Sequence, residues 1–203
     1  MLGAEQSGFI ADMGFDTYQR ILGEAFAEIK EEYGVDNQRQ TDSKTGKEYV
    51  TDCSIDTDLE ILIPDSYINM TAEKIRLYKE LDAIGEERKL IRFIEEMRDR
   101  FGPLPEEVVQ LTYIVRLRWL AIGLGFEKIV LKNGIMIAYF VTNQMSDYYR
   151  SAKFAAILNF LQKREKSTYR VKEQNDRLYV TVQKVESVEE AYKILLKIEE
   201  SGI

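Results

Sequence analysis

GLGFEKIVLKNGIMIAYFV, residues 123–141, is the stretch whose reading decides the fold. Before it, apolar residues recur at spacings of three and four. Within it they gather into two short runs, Lys128–Lys132 and Ile135–Val141, on either side of Asn133-Gly134. Asn-Gly between two such runs is the strongest short-range signal for a β-hairpin with a type I′ turn, because both central residues take positive φ. The chain therefore turns from helix to strand at this point.

Working back, Gly102-Pro103-Leu104-Pro105-Glu106-Glu107 is the sharpest break in the sequence. Glycine suits the residue after a helix, and proline followed by acidic residues suits the first turn of the next. The helix that follows runs to about Ile122, with Val108, Leu111, Val115 and Trp119 in one row and Ile114 beside it. Gly123 and Gly125 end it. The helix before it spans about Glu86–Phe101. Leu90, Ile94, Met97 and Phe101 form its inner row, widened by Ile91 and Phe93. An earlier helix over Ala72–Ile84, capped by Asn69 or Thr71, faces inward with Ile75, Leu77, Tyr78 and Leu81. Leu59–Ile63 reads as a strand closed by Pro64-Asp65.

Working forward, a helix covers about Asp147–Lys166. A second hairpin joins Thr168–Lys172 to Leu178–Gln183 around Glu173–Arg177. Ser187 and Glu190 form a capping box opening a last helix to about Glu200. The fold class is α+β: helices interleaved with short antiparallel strands and two hairpins. At the N-terminal side, Tyr18, Ile21, Leu22, Ala25, Phe26 and Ile29 make an amphipathic helix over Phe15–Tyr33, stopped by Gly34. Residues 35–58 are polar and aperiodic, and read as a flexible linker. The expected division is residues 1–34, a linker over 35–58, and a domain over 59–203.

Composition removes whole classes of chemistry. The 203 residues contain no histidine and one cysteine, Cys53. Ser-His and Cys-His nucleophile pairs and a structural zinc site are thereby excluded. Gly46-Lys47 lacks the rest of a phosphate-binding loop. No apolar run approaches the roughly 20 residues of a membrane span. The net charge of −7 is uneven: residues 1–58 carry 5 Lys and Arg against 13 Asp and Glu, and the remainder 23 against 22.

Three features are candidates for function. The acidic run Glu80, Asp82, Glu86, Glu87, Glu95, Glu96, Asp99, Glu106 and Glu107 reads as a solvated face or a partner-docking face. Glu96–Arg100 and Glu95–Arg98 are placed to pair along the helix. Arg150–Arg177 holds eight basic residues interleaved with Phe154, Phe160 and Tyr169. Aromatics at that spacing read first as core, and a nucleic-acid patch is the lesser reading. Cys53, in the linker, reads as an exposed bystander thiol.

Two motifs carry a family resemblance. Leu2-Gly3, Glu5-Gln6-Ser7-Gly8, Ile10, Gly14-Phe15 and Tyr18 resemble the end of the translocation motif shared by the DNA-pumping motors RecG and Mfd, with Phe9 where those families have His. From Leu59 on, the chain resembles the C-terminal domain of bacterial transcription-repair coupling factors, the Mfd family. The resemblance rests on Ile63-Pro64-Asp65 with Tyr67-Ile68, Arg76-x-Tyr78-Lys79, Asp99-Arg100-Phe101-Gly102-x-Leu104-Pro105, Leu111, Arg116-Leu117-Arg118 and Leu124-Gly125. A chain opening on the tail of a motor motif looks like a piece of something larger.

The resemblance implies a bacterial, cytoplasmic DNA translocase acting in nucleotide excision repair. Its partners would be UvrA, RNA polymerase and double-stranded DNA, with no membrane. ATP would be bound by the motor part, so no cofactor and no catalysis are expected in this chain. The C-terminal domain would act as an autoinhibitory latch, clasping a UvrB-like N-terminal module of the same protein and hiding its UvrA-binding surface. Glu96, Asp99 and Arg100 are where the clasp is expected, and Glu5, Gln6 and Gly8 occupy the translocation-motif positions. The alternative is an interaction module docking directly onto RNA polymerase or UvrA.

Overall fold

A computed structural model of the chain describes residues 49–165 and 167–201. The helix expected over Phe15–Tyr33, the motif residues Glu5, Gln6 and Gly8, and most of the expected linker lie outside the described residues. Within them, five α-helices and a five-stranded mixed sheet form one layered α+β fold. In chain order the elements are β1 (Ser54–Thr57), α1 (Thr71–Ala83), α2 (Glu87–Phe101), α3 (Glu106–Leu124), β2 (Phe126–Lys132), β3 (Ile135–Phe140), a 3₁₀ turn (Asp147–Arg150), α4 (Ala152–Gln162), β4 (Tyr169–Gln174), β5 (Arg177–Gln183) and α5 (Val188–Glu200).

The strand order is β1-β2-β3-β5-β4. β1 runs parallel to β2, and the remaining pairs are antiparallel. A parallel neighbour needs a long crossover, here supplied by α1, α2 and α3 together. Ile55, Ile129, Leu131, Met136, Ala138, Phe140, Val180 and Val182 point from the sheet into one core shared with the helices. Gln110, near the start of α3, accepts the backbone N–H of Val188 at 3.0 Å, and Tyr113 donates to Glu189 at 3.1 Å, which fixes α5 against α3.

Both hairpins turn on two residues with positive φ: Asn133 and Gly134 in the first, Asn175 and Asp176 in the second. The second turn is therefore tighter than the Glu173–Arg177 loop read from sequence, because Asn and Asp tolerate the left-handed region without glycine. Ser187 accepts the N–H of Glu190, and Glu190 reaches back to the N–H of Glu186, completing the capping box one residue earlier than its simplest form.

Several expectations are corrected. Leu59–Ile63 is not a strand, and the strand at this edge is β1, inside the expected linker. Cys53 and Ile55 alternate inward with Ser54 and Asp56 outward, and Asp56 pairs with Lys132 of β2 at 2.7 Å. After Asp58 donates to the Leu131 carbonyl at 3.3 Å, the chain leaves the sheet, and the Ile63 N–H goes instead to the buried Tyr78 hydroxyl at 2.7 Å. Residues 49–58 therefore belong to the folded domain, with Val50, Cys53 and Ile55 in its core.

Cys53 is buried, not an exposed thiol. Burial, with the adjacent Asp52 carboxylate second, pushes the thiol up to about 12. The thiolate is the reactive form, so Cys53 resists iodoacetamide at pH 8 in the folded chain and is alkylated only on unfolding. Alkylation at the rate of a free thiol under native conditions would contradict this burial.

The helix expected from Asp147 begins with the 3₁₀ turn, and α4 starts only after Ser151, which is extended and whose hydroxyl accepts the Phe154 N–H at 3.1 Å. Neither Asn69 nor Thr71 caps α1: Met70 stands at the N-cap with no side-chain hydrogen bond. On α2 the buried row is Leu90, Phe93 and Met97, with Ile94 and Phe101 at its margin, while Ile91 is 45% exposed.

Candidate functional site at the end of α2

The motif residues of loop 63–70, α1 and α2 converge where α2 stops. Gly102 ends the helix at φ 88°, a conformation glycine takes without strain. The Tyr67 hydroxyl donates to the Gly102 carbonyl at 2.9 Å, with the Met97 carbonyl at 3.3 Å, and its ring stands edge-on to Phe101. Ile68 is buried beneath, and Lys74, almost wholly buried, is paired with Asp65. These contacts make the end of α2 a braced ledge.

Arg116 and Arg118, on either side of the fully buried Leu117 of α3, tie the helices together. Arg116 grips Glu87 of α2 with two nitrogens, at 3.0 and 2.6 Å, and Arg118 reaches Asp82 of α1 at 2.8 Å. Those two carboxylates of the acidic run are structural. Glu80 pairs with Arg76, Glu86 with Lys89, and Glu106 bonds Gln110. Among the described residues, the carboxylates of that run that make no hydrogen bond or ion pair are Glu95, Glu96, Asp99 and Glu107, and the first three share the C-terminal half of α2. All three are exposed.

The helix pairs Glu96–Arg100 and Glu95–Arg98 do not form. Arg100 instead lies over the Phe101 ring and donates to Glu73 at the start of α1, at 2.6 Å. Glu73, which sequence reading passed over, receives Arg76 as well, at 2.9 Å. Of the expected site residues, Arg100 is thus fixed in the fold, and Glu96 and Asp99 stand out beside it.

Arg76 first, with Arg100 as a further hydrogen-bond donor, holds the Glu73 carboxyl down at about 2. A carboxyl lowered on folding stabilises the fold above its ordinary value and loses that contribution as the pH falls through its folded value. Wild type therefore melts above Glu73→Gln at pH 7, and the gap in Tm closes between pH 4.5 and 2. A gap unchanged across that window in thermal melts would contradict the pairing.

The aromatics of the basic segment follow the first of their two sequence readings. Phe154 and Phe160 are buried, and Tyr169 packs edge-on against Phe160. These aromatics are core, as first read. Among the described residues no group of His, Cys, Asp or Glu could hold a metal ion, and no helix is long and apolar enough to cross a membrane.

The family this chain resembles in sequence is that of TRCF domains. Residues 57–151 match the model of that family, and the chain carries this domain. It is 34% identical over 129 residues to a transcription-repair-coupling factor of Mycobacterium bovis, a match covering 64% of this chain and 10% of the relative. It is 33% identical over 148 residues to that of Rickettsia typhi, covering 72% and 12%. The chain thus spans about a tenth of the length of the curated relatives it matches. The crystal structure of the C-terminal domain of a transcription-repair coupling factor shares the fold, with a TM-score of 0.57, 19% identity, and coverage of 74% of this chain and 95% of that one.

Proposed function

We infer that the domain is a non-catalytic, autoinhibitory latch within a bacterial, cytoplasmic DNA translocase of transcription-coupled nucleotide excision repair. Its ledge clasps a UvrB-like N-terminal module of the same protein and covers the surface that UvrA takes. ATP, RNA polymerase and double-stranded DNA engage other parts of that protein.

The observation supporting this reading is the cluster Glu95, Glu96 and Asp99. These carboxylates are exposed, unpaired among the described residues, and lie toward the negative end of a helix dipole. Asp99, in the last turn, costs the helix a few tenths of a kcal/mol to about 1 kcal/mol, so it does not serve the helix. A partner's cations would offset that cost. A polar contact also suits a latch that must open, since couplings between sites run at about 1–3 kcal/mol.

Asp99→Lys tests the reading. It removes a charge the helix dipole disfavours, so Tm holds or rises, while affinity for the UvrB-like module falls about tenfold in calorimetry. Unchanged affinity overturns the assignment of Asp99. Binding of UvrA or RNA polymerase by the domain, without binding of the module, favours the interaction-module alternative.

A further inference from the structure

The sheet has a second face that the core does not use. Along each strand the residues between the inward ones point the other way. They are Lys128, Val130 and Lys132 on β2, Ile135, Ile137 and Tyr139 on β3, Arg177, Tyr179, Thr181 and Gln183 on β5, and Arg170 and Lys172 on β4. None of Val130, Ile137, Tyr139 and Tyr179 belongs to the core or packs against it.

The ladder registers place four of these in one row across four strands. Lys128 pairs with Tyr139, Tyr139 with Tyr179, and Tyr179 with Lys172. The two tyrosine rings lie 5.4 Å apart at the centre, tilted by 38°. At a strand spacing of about 4.8 Å, the two lysines flank them across roughly 14 Å. The next row adds Arg170 opposite Thr181. Arg177 reaches over Tyr139, 5.4 Å from the ring centre, and donates to Thr142.

Five cations thus stand on this face, against Asp56, which pairs with Lys132, and Glu127 at its margin, which accepts from the Thr142 hydroxyl that Arg177 donates to. They stand on a chain whose net charge is −7. Two polar atoms on the same face, Arg177 Nε and Thr181 Oγ1, are buried without a hydrogen-bond partner. Buried polar groups are ordinarily satisfied; these two lie shielded beneath their neighbours and the described fold leaves them unsatisfied.

We propose that this face of the sheet binds single-stranded nucleic acid, with Tyr139 and Tyr179 stacking on two bases and Lys128, Lys172, Arg170 and Arg177 meeting the phosphates. Aromatic rings inside and cations outside match the base-and-backbone layout of a single strand. An acidic peptide matches the cations but has no use for the tyrosine pair. A duplex keeps its bases stacked and unavailable to the rings.

The test is fluorescence anisotropy of the whole chain with a labelled 12-residue oligothymidylate, a 12-residue oligouridylate, a 12-base-pair duplex and polyglutamate. Both single strands bind more tightly than the duplex and polyglutamate, with affinity falling as salt rises. The two single-strand arms separate a DNA source from an RNA source. Tyr139→Ala and Tyr179→Ala each weaken binding about tenfold, whereas Tyr→Phe at either site preserves it. Lys128→Glu with Lys172→Glu weakens binding and flattens the salt dependence. Tyr139→Leu and Tyr179→Leu keep the apolar bulk of the strands and serve if an alanine variant fails to fold, with melts as the control. Absence of single-strand binding overturns the proposal. So does binding indifferent to loss of the rings, or polyglutamate bound as tightly as the oligonucleotides.

Discussion

Gly125→Ala lowers the melting temperature by on the order of 10 °C, corresponding to about 2–5 kcal/mol. Gly125 caps α3 in the left-handed region, at φ 86° and ψ 32°. A methyl group there meets the Tyr148 ring at 2.2 and 2.4 Å and its hydroxyl at 2.8 Å. That ring cannot swing aside. It is fully buried, donates its hydroxyl to the Leu124 carbonyl at 2.6 Å, and is ringed by Tyr49, Tyr149, Phe140 and Phe154.

The clash and the left-handed backbone add to each other. Tyr148→Phe removes only the buried hydrogen bond and costs about 1–2 kcal/mol. Combining Gly125→Ala with Tyr148→Ala removes the clash, so the double variant loses less stability than the two single changes summed. Strict additivity in thermal melts would show that the two residues do not meet. The TRCF match ends at residue 151, between Tyr149 and Phe154 of this aromatic cluster, so the change also tests what holds the end of the matched segment in the core.

On the latch reading, reversing both carboxylates that lack a partner among the described residues, Glu96→Lys with Asp99→Lys, weakens binding to the UvrB-like module by about a hundredfold or more while leaving the fold intact. Like-charge contacts at an interface cost several kcal/mol. Nothing inside the domain depends on these two side chains, since neither bonds another described residue. Arg100→Ala has a smaller effect on binding. Its guanidinium is already committed to Glu73 at 2.6 Å and to the Phe101 ring, so its removal is felt in the stability of the ledge as well as at the partner. The order of effect on affinity is Asp99→Lys with Glu96→Lys, then either alone, then Arg100→Ala. An Arg100→Ala variant that outranks the double reversal would show that the cation, not the carboxylates, carries the contact.

The helices and both hairpins were legible because their signals are local. Asn133-Gly134 specifies a turn by backbone geometry, and the rows on α2 and α3 follow from a period of 3.6 residues. β1 was hidden because it is four residues long, polar on its outer side, and becomes a strand only when β2 arrives from seventy residues away. Its one readable trace is the alternation of Cys53 and Ile55. Leu59–Ile63 misled in the opposite way: apolar enough for a strand, it spends a backbone donor on Tyr78 and leaves the sheet. At the ledge, Glu96, Asp99 and Arg100 were placed on one helix face by their spacing, but the partner of Arg100 lies on another helix. Tyr67 and Glu73 act only through that crossing. Tyr148, unremarkable in sequence, is fixed by the glycine it covers.

The most direct measurement is calorimetric titration of this chain against the UvrB-like module of the same protein, followed by addition of UvrA. The latch reading requires saturable binding of the module, release of the domain by UvrA, and loss of both when Glu96 and Asp99 are reversed. A module that binds UvrA equally well whether or not this domain is present, or that does not bind the domain at all, contradicts it.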